Sequence, residues 1–361
     1  MNTTEKFTEE LKAINAKIKE YISSQSFMSK FKPEDIRDGV YLYLLRSAKS
    51  LRPGILSFSC GAVGGNPDSV LPAAAAVEVF HNWTLVHDDI IDNDSLRRGG
   101  DTVHVHFQKL AQGRGYSKAD AEEYGRNLAI LVGDIQHSFA ISLFTKLYSE
   151  HEFEPALIIK LIDMMELEMN IELVEGETID VQLSKKPILD ITEDDIISMS
   201  AGKTGALYSF SAKAGAMLGL ETIDENNPQI KSLSKFAYNC GVAFQLQDDI
   251  LGITGSEEKI GKPYGSDIKE GKRTTIVWFA YNNATAAQKK TILGNLGKRS
   301  LERSEIDKMV RLLTDLGGIK HTFELAKKHI DLALLELNNI ADSIYKDLLK
   351  SWADFMIKRS F

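Results

Sequence analysis

The sequence predicts an all-α protein. Apolar residues recur at spacings of three and four nearly everywhere, as in Phe7, Leu11, Ile14 and Ile18. Alternating β-branched residues are rare, and only 8 prolines interrupt 361 residues. A chain of this length with 43% hydrophobic residues can bury a large core, in one big helical domain or two smaller ones. No repeat, low-complexity linker or compositional break divides it, so residues 1–361 are expected to form a single domain.

The pattern places helices over about residues 3–24, 33–48, 54–64, 71–92, 118–149, 152–184, 192–219, 228–252, 273–282, 286–296, 303–315, 318–341 and 343–358. The first mixes Lys and Glu at helical spacing and lacks a long apolar core, so it reads as neither signal peptide nor membrane span. Further along, Thr192 with Asp195 three residues on resembles a capping box, and Asn227-Pro228 sets a cap before a first-turn proline. Gly317-Gly318 ends a helix.

Charge and cysteine content narrow the function. The 43 basic and 51 acidic residues leave a net charge of −8, which argues against nonspecific nucleic-acid binding and against a polybasic membrane anchor. Cys60 and Cys240 both lie in apolar surroundings and read as neither a disulfide framework nor metal ligands. A reducing interior, the cytoplasm, is the expected location.

Two acidic clusters sit inside apolar helical patterns: Asp88-Asp89-Ile90-Ile91-Asp92 and Asp248-Asp249. Bare carboxylates are costly to bury there, so something must neutralise them. Thr84, Asp88 and Asp92 follow at intervals of four and share one helix face, with Asp89 flanking it. A charged, solvent-exposed helix end is the ordinary reading. It is weakened by Phe80, Trp83, Leu85, Val86, Ile90 and Ile91 around the cluster. Magnesium bridging to phosphate fits, because that hard ion takes one or two carboxylates and keeps other positions for water and substrate. The arginine pair Arg97-Arg98 follows at once, and arginine forks match phosphate oxygens; an ion pair of Arg97 with Asp94 is the plainer alternative. Between Thr254 and Thr274, Gly255, Gly261, Gly265 and Gly271 alternate with Lys259, Lys262, Lys269, Lys272 and Arg273. This stretch reads as a solvated turn or as a basic flap over a phosphorylated ligand.

With these residues in view the chain resembles the trans-isoprenyl diphosphate synthases, prenyltransferases that lengthen allylic diphosphates by five-carbon units. The segment Asp88 to Arg98 is similar to the family's first aspartate-rich motif, and Phe244-Gln245-Leu246-Gln247-Asp248-Asp249 to its second. Lys203-Thr204-Gly205 looks like its Lys-Thr pair, and Lys49-Ser50-Leu51-Arg52-Pro53 like the segment that grips isopentenyl diphosphate. Gly261-Lys262-Pro263 through Lys272-Arg273-Thr274 resembles its lysine-bearing loop.

The resemblance implies a single helical bundle with a central cavity, the isoprenoid synthase fold, and three magnesium ions per site. It implies that Asp88 and Asp92 bind metal on one wall and Asp248 on the other, with Asp89 and Asp249 supporting them. Arg97, Lys203, Thr204, Gln245, Lys262 and Lys272 would contact the allylic diphosphate. Lys49, Arg52, His81 and Arg98 would hold isopentenyl diphosphate. His81 lies two turns before Asp88 on nearly the same face, although a lone histidine on an apolar helix is more often a satisfied core residue. Lys203, Thr204 and Gln245 are the expected catalytic groups, their dipoles serving either the cation or the phosphates. A homodimer is also expected from the family. Two departures stand out: Ser47-Ala48-Lys49-Ser50 replaces the usual Gly-Gly-Lys-Arg, and Gly252 stands where many relatives carry a third aspartate. The first lowers the expected affinity for isopentenyl diphosphate, the second the charge around the metal.

Product length is expected to depend on residues upstream of Asp88, since one helical turn, about 5.4 Å, approximates one isoprene unit. Thr84 is small, whereas Trp83 and Phe80 are bulky. An ideal helix sets Trp83 roughly 140° from Asp88, so its blocking role rests on resemblance and Phe80 is a rival floor. The pattern looks like the archaeal-type geranylgeranyl synthases, which implies a twenty-carbon product; fifteen-carbon and longer products are the alternatives. A terpene cyclase would need a different second metal motif, absent after Asp248. A non-catalytic partner subunit would have no need of both aspartate pairs.

Overall fold

The computed structural model describes residues 3–32, 34–46, 48–255 and 264–357, and these are predominantly helical. The chain divides into two compact units, Met1–Ile162 with Ala214–Glu225, and Asp163–Lys213 with Asn226–Phe361.

The first unit contains α1 (Thr3–Ser24), α2 (Glu34–Leu44), α3 (Leu51–Ala62), α4 (Leu71–Ile91), α5 (Val103–Gly113) and α6 (Lys118–His151). Among the described residues its one sheet is a hairpin of two-residue strands, β1 (Leu96–Arg97) and β2 (Gly100–Asp101). Helix α4 starts with Pro72 in its first turn and continues through Ala73–Ala76, all buried. Proline suits that position and alanine is the strongest helix former. The small side chains also let neighbours come close, and α4 packs against α1, α2, α3, α5 and α6.

Helix α5 was not among the expected helices. Val103, Val105 and Phe107 alternate with histidines in the period of a strand, yet Val103, Phe107 and Ala111 are buried at helical spacing of four. Packing along α6 decides the outcome. Helix α6 begins at Ser117, whose hydroxyl accepts the Asp120 N–H at 3.2 Å. It is long and apolar enough to cross a membrane by length and composition alone, but 44% of its most apolar stretch is buried inside the protein. Helix α7 (Pro155–Met164) contains the first boundary between the units.

The second unit holds α8 (Asn170–Leu183), α9 (Glu193–Ser200), the start of α10 (Ala206–Gly219), α11 (Pro228–Thr254) and α12 (Ser266–Glu270). It continues with α13 (Thr275–Asn282), α14 (Ala286–Asn295), α15 (Arg303–Asp315), α16 (Gly318–Glu336) and α17 (Ile344–Ile357). One core there gathers Ile250, Ile253, Ile268, Ile276 and Leu313. Each such buried side chain contributes about 1.5–3 kcal/mol by leaving water.

The helices expected over 152–184 and 192–219 contain π-helical turns, Met165–Met169 and Ala201–Gly205. Both expected caps form. Thr192 and Asp195 make a reciprocal capping box, and Asn227 accepts the Gln229 N–H at 2.9 Å ahead of Pro228. The glycine-rich stretch differs from a plain loop: α12 lies within it, bracketed by Gly265 (φ 73°) and Gly271 (φ 79°) and anchored by buried Ile268. Glycine is needed at both ends because the backbone turns left-handed.

Candidate active site

In the first unit, the last two turns of α4 present Asp88 and Asp89, with Asp92 as the C-cap. Asp88 and Asp92 are half-buried, whereas Asp89 is buried. Arg97, on β1, donates through Nε to Asp89 Oδ1 at 2.8 Å and through Nη2 to that same oxygen and to Asp88 Oδ2 at 3.1 Å. Tyr43 donates its hydroxyl to Asp89 Oδ2 at 2.5 Å. Burial pushes the Asp89 carboxyl up to about 6, against the pull of Arg97 and Tyr43. Burial alone would lower the Arg97 guanidinium, but Asp89 and Asp88 outweigh it and hold it above the arginine norm. Arg97 also approaches Asp94, at 3.5 Å, so the plain ion pair is one edge of a larger network.

One to two turns upstream, Arg52 Nη1 lies 3.0 Å from His81 Nε2. Burial of the His81 ring, then the charges of Arg52, Arg98 and Arg97, hold its pKa well below the histidine norm, so the imidazole is neutral. Arg98 donates to the Tyr43 carbonyl at 2.9 Å and to Asn82 Oδ1 at 3.3 Å, and pairs with Glu78 at 3.4 Å. Thus Arg52, His81 and Arg98 share one neighbourhood, and Lys49 is exposed beyond it. Ser50, which stands where a basic residue was expected, is buried in a left-handed conformation (φ 46°) and accepts the Asn15 amide at 2.6 Å.

Phe80 is fully buried and meets Trp83 edge-on, ring centroids 4.8 Å apart. His137 of α6 joins both, 4.9 Å from Trp83 and 5.6 Å from Phe80. Nothing in the local sequence signals His137, because the contact joins two helices distant in the chain. Thr84 donates its hydroxyl to the His81 carbonyl at 2.8 Å.

In the second unit, the π-helical turn Ala201–Gly205 carries Lys203 and Thr204. Such turns re-aim side chains and are frequent at functional sites. Lys203 Nζ lies 2.8 Å from both Glu177 and Asp180 on α8, two acids the sequence reading did not single out. Gly176 makes this possible: a Cβ there would stand 2.2 Å from the Lys203 backbone nitrogen. Thr204 donates to Gln245 Oε1 at 2.8 Å, and Gln245 Nε2 donates to Asp249 Oδ1 at 3.0 Å. Asp248 is half-buried and Asp249 buried. Burial, reinforced by the Asp267 charge, drives the Asp249 carboxyl well above its ordinary value, while Gln245 and Lys272 oppose the rise. A Cβ on Gly252 would lie 2.5 Å from Asp267 Oδ2, so α12 supplies a carboxylate beside the position where a third aspartate was expected. The expected loss of charge there is offset by a residue fifteen positions on. Lys272 pairs with Glu270 at 3.4 Å, and Lys262 lies outside the described residues.

Among the described residues no three His, Cys, Asp or Glu side chains gather into a closed metal cage. Separated carboxylates suit a hard cation that takes most of its oxygens from water and diphosphate, so the donor set fits magnesium.

Helices bearing two aspartate motifs, with arginines after one and a Lys-Thr pair whose threonine is hydrogen-bonded to the other, define a prenyltransferase. Residues 34–313 match the polyprenyl synthetase family, and the chain belongs to it. It is 33% identical over 359 residues to a geranylgeranyl diphosphate synthase of Saccharolobus solfataricus, covering 98% of this chain and 97% of that one. The same-named enzyme of Methanosarcina mazei is 35% identical over 330 residues, 91% of each chain. The crystal structure of a Pyrococcus horikoshii geranylgeranyl pyrophosphate synthetase superposes with a TM-score of 0.81 at 33% identity, covering 99% of this chain and 98% of that one.

Proposed function

We propose that the chain is a magnesium-dependent geranylgeranyl diphosphate synthase that condenses isopentenyl diphosphate with dimethylallyl, geranyl or farnesyl diphosphate, residues 1–361 working as one catalytic domain. The observation that carries the reading is the pairing of half-buried Asp88 and Asp92, a helical turn apart, with the Arg97 network beside them. Asp88, Asp92 and Asp248 would hold the ions, three in number, with Asp89 and Asp249 orienting them. Magnesium, when bound, supplies Lewis acidity to the oxygens of the leaving diphosphate. The protein's own groups do the rest. Arg97, Lys203, Lys262 and Lys272 hold the allylic diphosphate and steady its charge as the carbon-oxygen bond breaks. Lys49, Arg52, neutral His81 and Arg98 hold isopentenyl diphosphate close enough for its double bond to reach the allylic cation before water does. Thr204 and Gln245 orient one another and present dipoles to that cation. The departing diphosphate accepts the last proton.

The archaeal relatives' names and the Phe80, Trp83 and His137 ring group support a twenty-carbon product. Exposed apolar residues, Ile130 and Leu131 on α6 and Ile171, Val174 and Val181 on α8, support a homodimer. The cytoplasm is the proposed location.

The purified protein with magnesium, isopentenyl diphosphate and labelled farnesyl diphosphate should yield geranylgeranyl diphosphate. No extension by the protein alone would sink the enzyme reading. Trp83→Ala should lengthen the product; unchanged products from both Trp83→Ala and Phe80→Ala would remove the ring group from length control.

A further inference from the structure

We propose that Tyr43 and Arg46, at the C-terminal end of α2, are positioning residues that hold the Arg97-Arg98 pair and Asp89 in place for diphosphate binding. The proposal rests on the diphosphate reading of those arginines. Its starting point is the weakness of the element that carries them. A hairpin of two-residue strands has little stability of its own. Its turn places Arg98 (φ 51°) and Gly99 (φ 75°) in left-handed backbone, and a non-glycine residue stays there only when its surroundings hold it.

The end of α2 and the bend after it provide that hold at five points. Arg46 Nη1 donates to the Arg97 and Asp101 carbonyls, 2.8 Å each, bridging the two strands. Gly100 leaves the space for it, since a Cβ there would lie 2.9 Å from the guanidinium. The Tyr43 carbonyl accepts from Arg98 at 2.9 Å. The Tyr43 hydroxyl accepts the Val103 N–H at 2.9 Å and donates to Asp89, the carboxylate on which Arg97 is forked. Arg46 also lies over the Tyr43 ring, 5.4 Å from its centroid, so the two side chains brace each other. Both arginines and Asp89 are therefore tied to the last turn of α2 and the bend that follows it. Neither Tyr43 nor Arg46 belongs to the aspartate-rich motifs or to the segment from Lys49 to Pro53.

The test is Arg46→Met, which keeps the stem and removes the donors, alongside Tyr43→Phe and Arg46→Lys. Initial rates with magnesium, isopentenyl diphosphate and farnesyl diphosphate, and calorimetric titration with inorganic pyrophosphate, are the readouts. Arg114→Met, which breaks an ion pair with Asp35 elsewhere on α2, is the control for general destabilisation. Arg46→Met should raise KM for both diphosphates and the pyrophosphate Kd about tenfold with kcat within about threefold, and Arg46→Lys should recover part of the loss. Tyr43→Phe should raise the same constants. If the wild type extends the chain but Arg46→Met leaves KM and Kd unchanged, or if Arg114→Met matches its losses, the proposal falls. A wild type that extends nothing refutes the functional reading instead.

Discussion

The acidic cluster on α4 has an arginine forked on its buried member, Asp89, whereas the buried member of the cluster on α11, Asp249, accepts from a neutral amide. Asp89 is forked by Arg97 and bonded by Tyr43, and its carboxyl rises only to about 6 despite full burial. Asp249 accepts from Gln245 and is driven well above its ordinary value by burial and then by the Asp267 charge, with Gln245 and Lys272 opposing the rise. The first region is a preformed arginine-carboxylate frame that a ligand can join. The second brings the Asp267 and Asp180 charges to bear on Asp249, and it is expected to depend more heavily on an added cation.

The largest effects should fall on half-buried members of the two clusters. Asp88→Ala and Asp248→Ala should each lower kcat/KM about 10³-fold, roughly 4 kcal/mol of transition-state stabilisation. Magnesium titrations separate the regions. The Asp248 variant should need more of the ion for half-maximal rate than the Asp88 variant does. Equal requirements, measured by steady-state rates, would break the contrast drawn above.

Next in size is the frame itself. Arg97→Ala strands Asp89 as a buried charge, and breaking such a pair costs about 3 kcal/mol. Lys203→Met removes a partner from Glu177 and Asp180, which remain partly in contact with solvent, so its cost should stay near 1 kcal/mol. Urea unfolding of both variants checks the ratio, and adding Asp89→Asn to Arg97→Ala should return stability without returning activity.

Much of this arrangement is legible in the sequence because it is local. Spacings of three and four locate most helices, and carboxylates one turn apart betray a shared ligand. What stays hidden is what packing alone decides. Val103 to Phe107 alternates like a strand until burial against α6 makes it a helix. Asp267 beside Gly252, Asp180 beside Lys203 and His137 beside Trp83 join residues far apart in the chain, and no periodicity reports such meetings. Tyr43 and Arg46 look like an ordinary helix end. Only the hairpin that they clamp gives them a role.

The smallest effect concerns how the second region is aimed. Helix α9 runs directly into the π-helical turn that carries Lys203, and its start is fixed by Asp195, which accepts the Thr192 N–H and hydroxyl at 2.8 Å each. Those two bonds hold the Asp195 carboxyl below its ordinary 3.8. Because the folded chain releases this proton more readily than the unfolded chain, the carboxylate's contribution is complete above the ordinary value. It is lost as pH falls through the lower folded value. Asp195→Ala should therefore cost about 0.5 kcal/mol at pH 7, and the gap from wild type should narrow as pH falls below the ordinary 3.8. Urea denaturation at pH 7, 4 and 3 reads this directly. Activity at pH 7 then shows whether fraying at Thr192 travels about three turns to Lys203: a kcat/KM equal to wild type would mean that Glu177 and Asp180 alone aim the lysine.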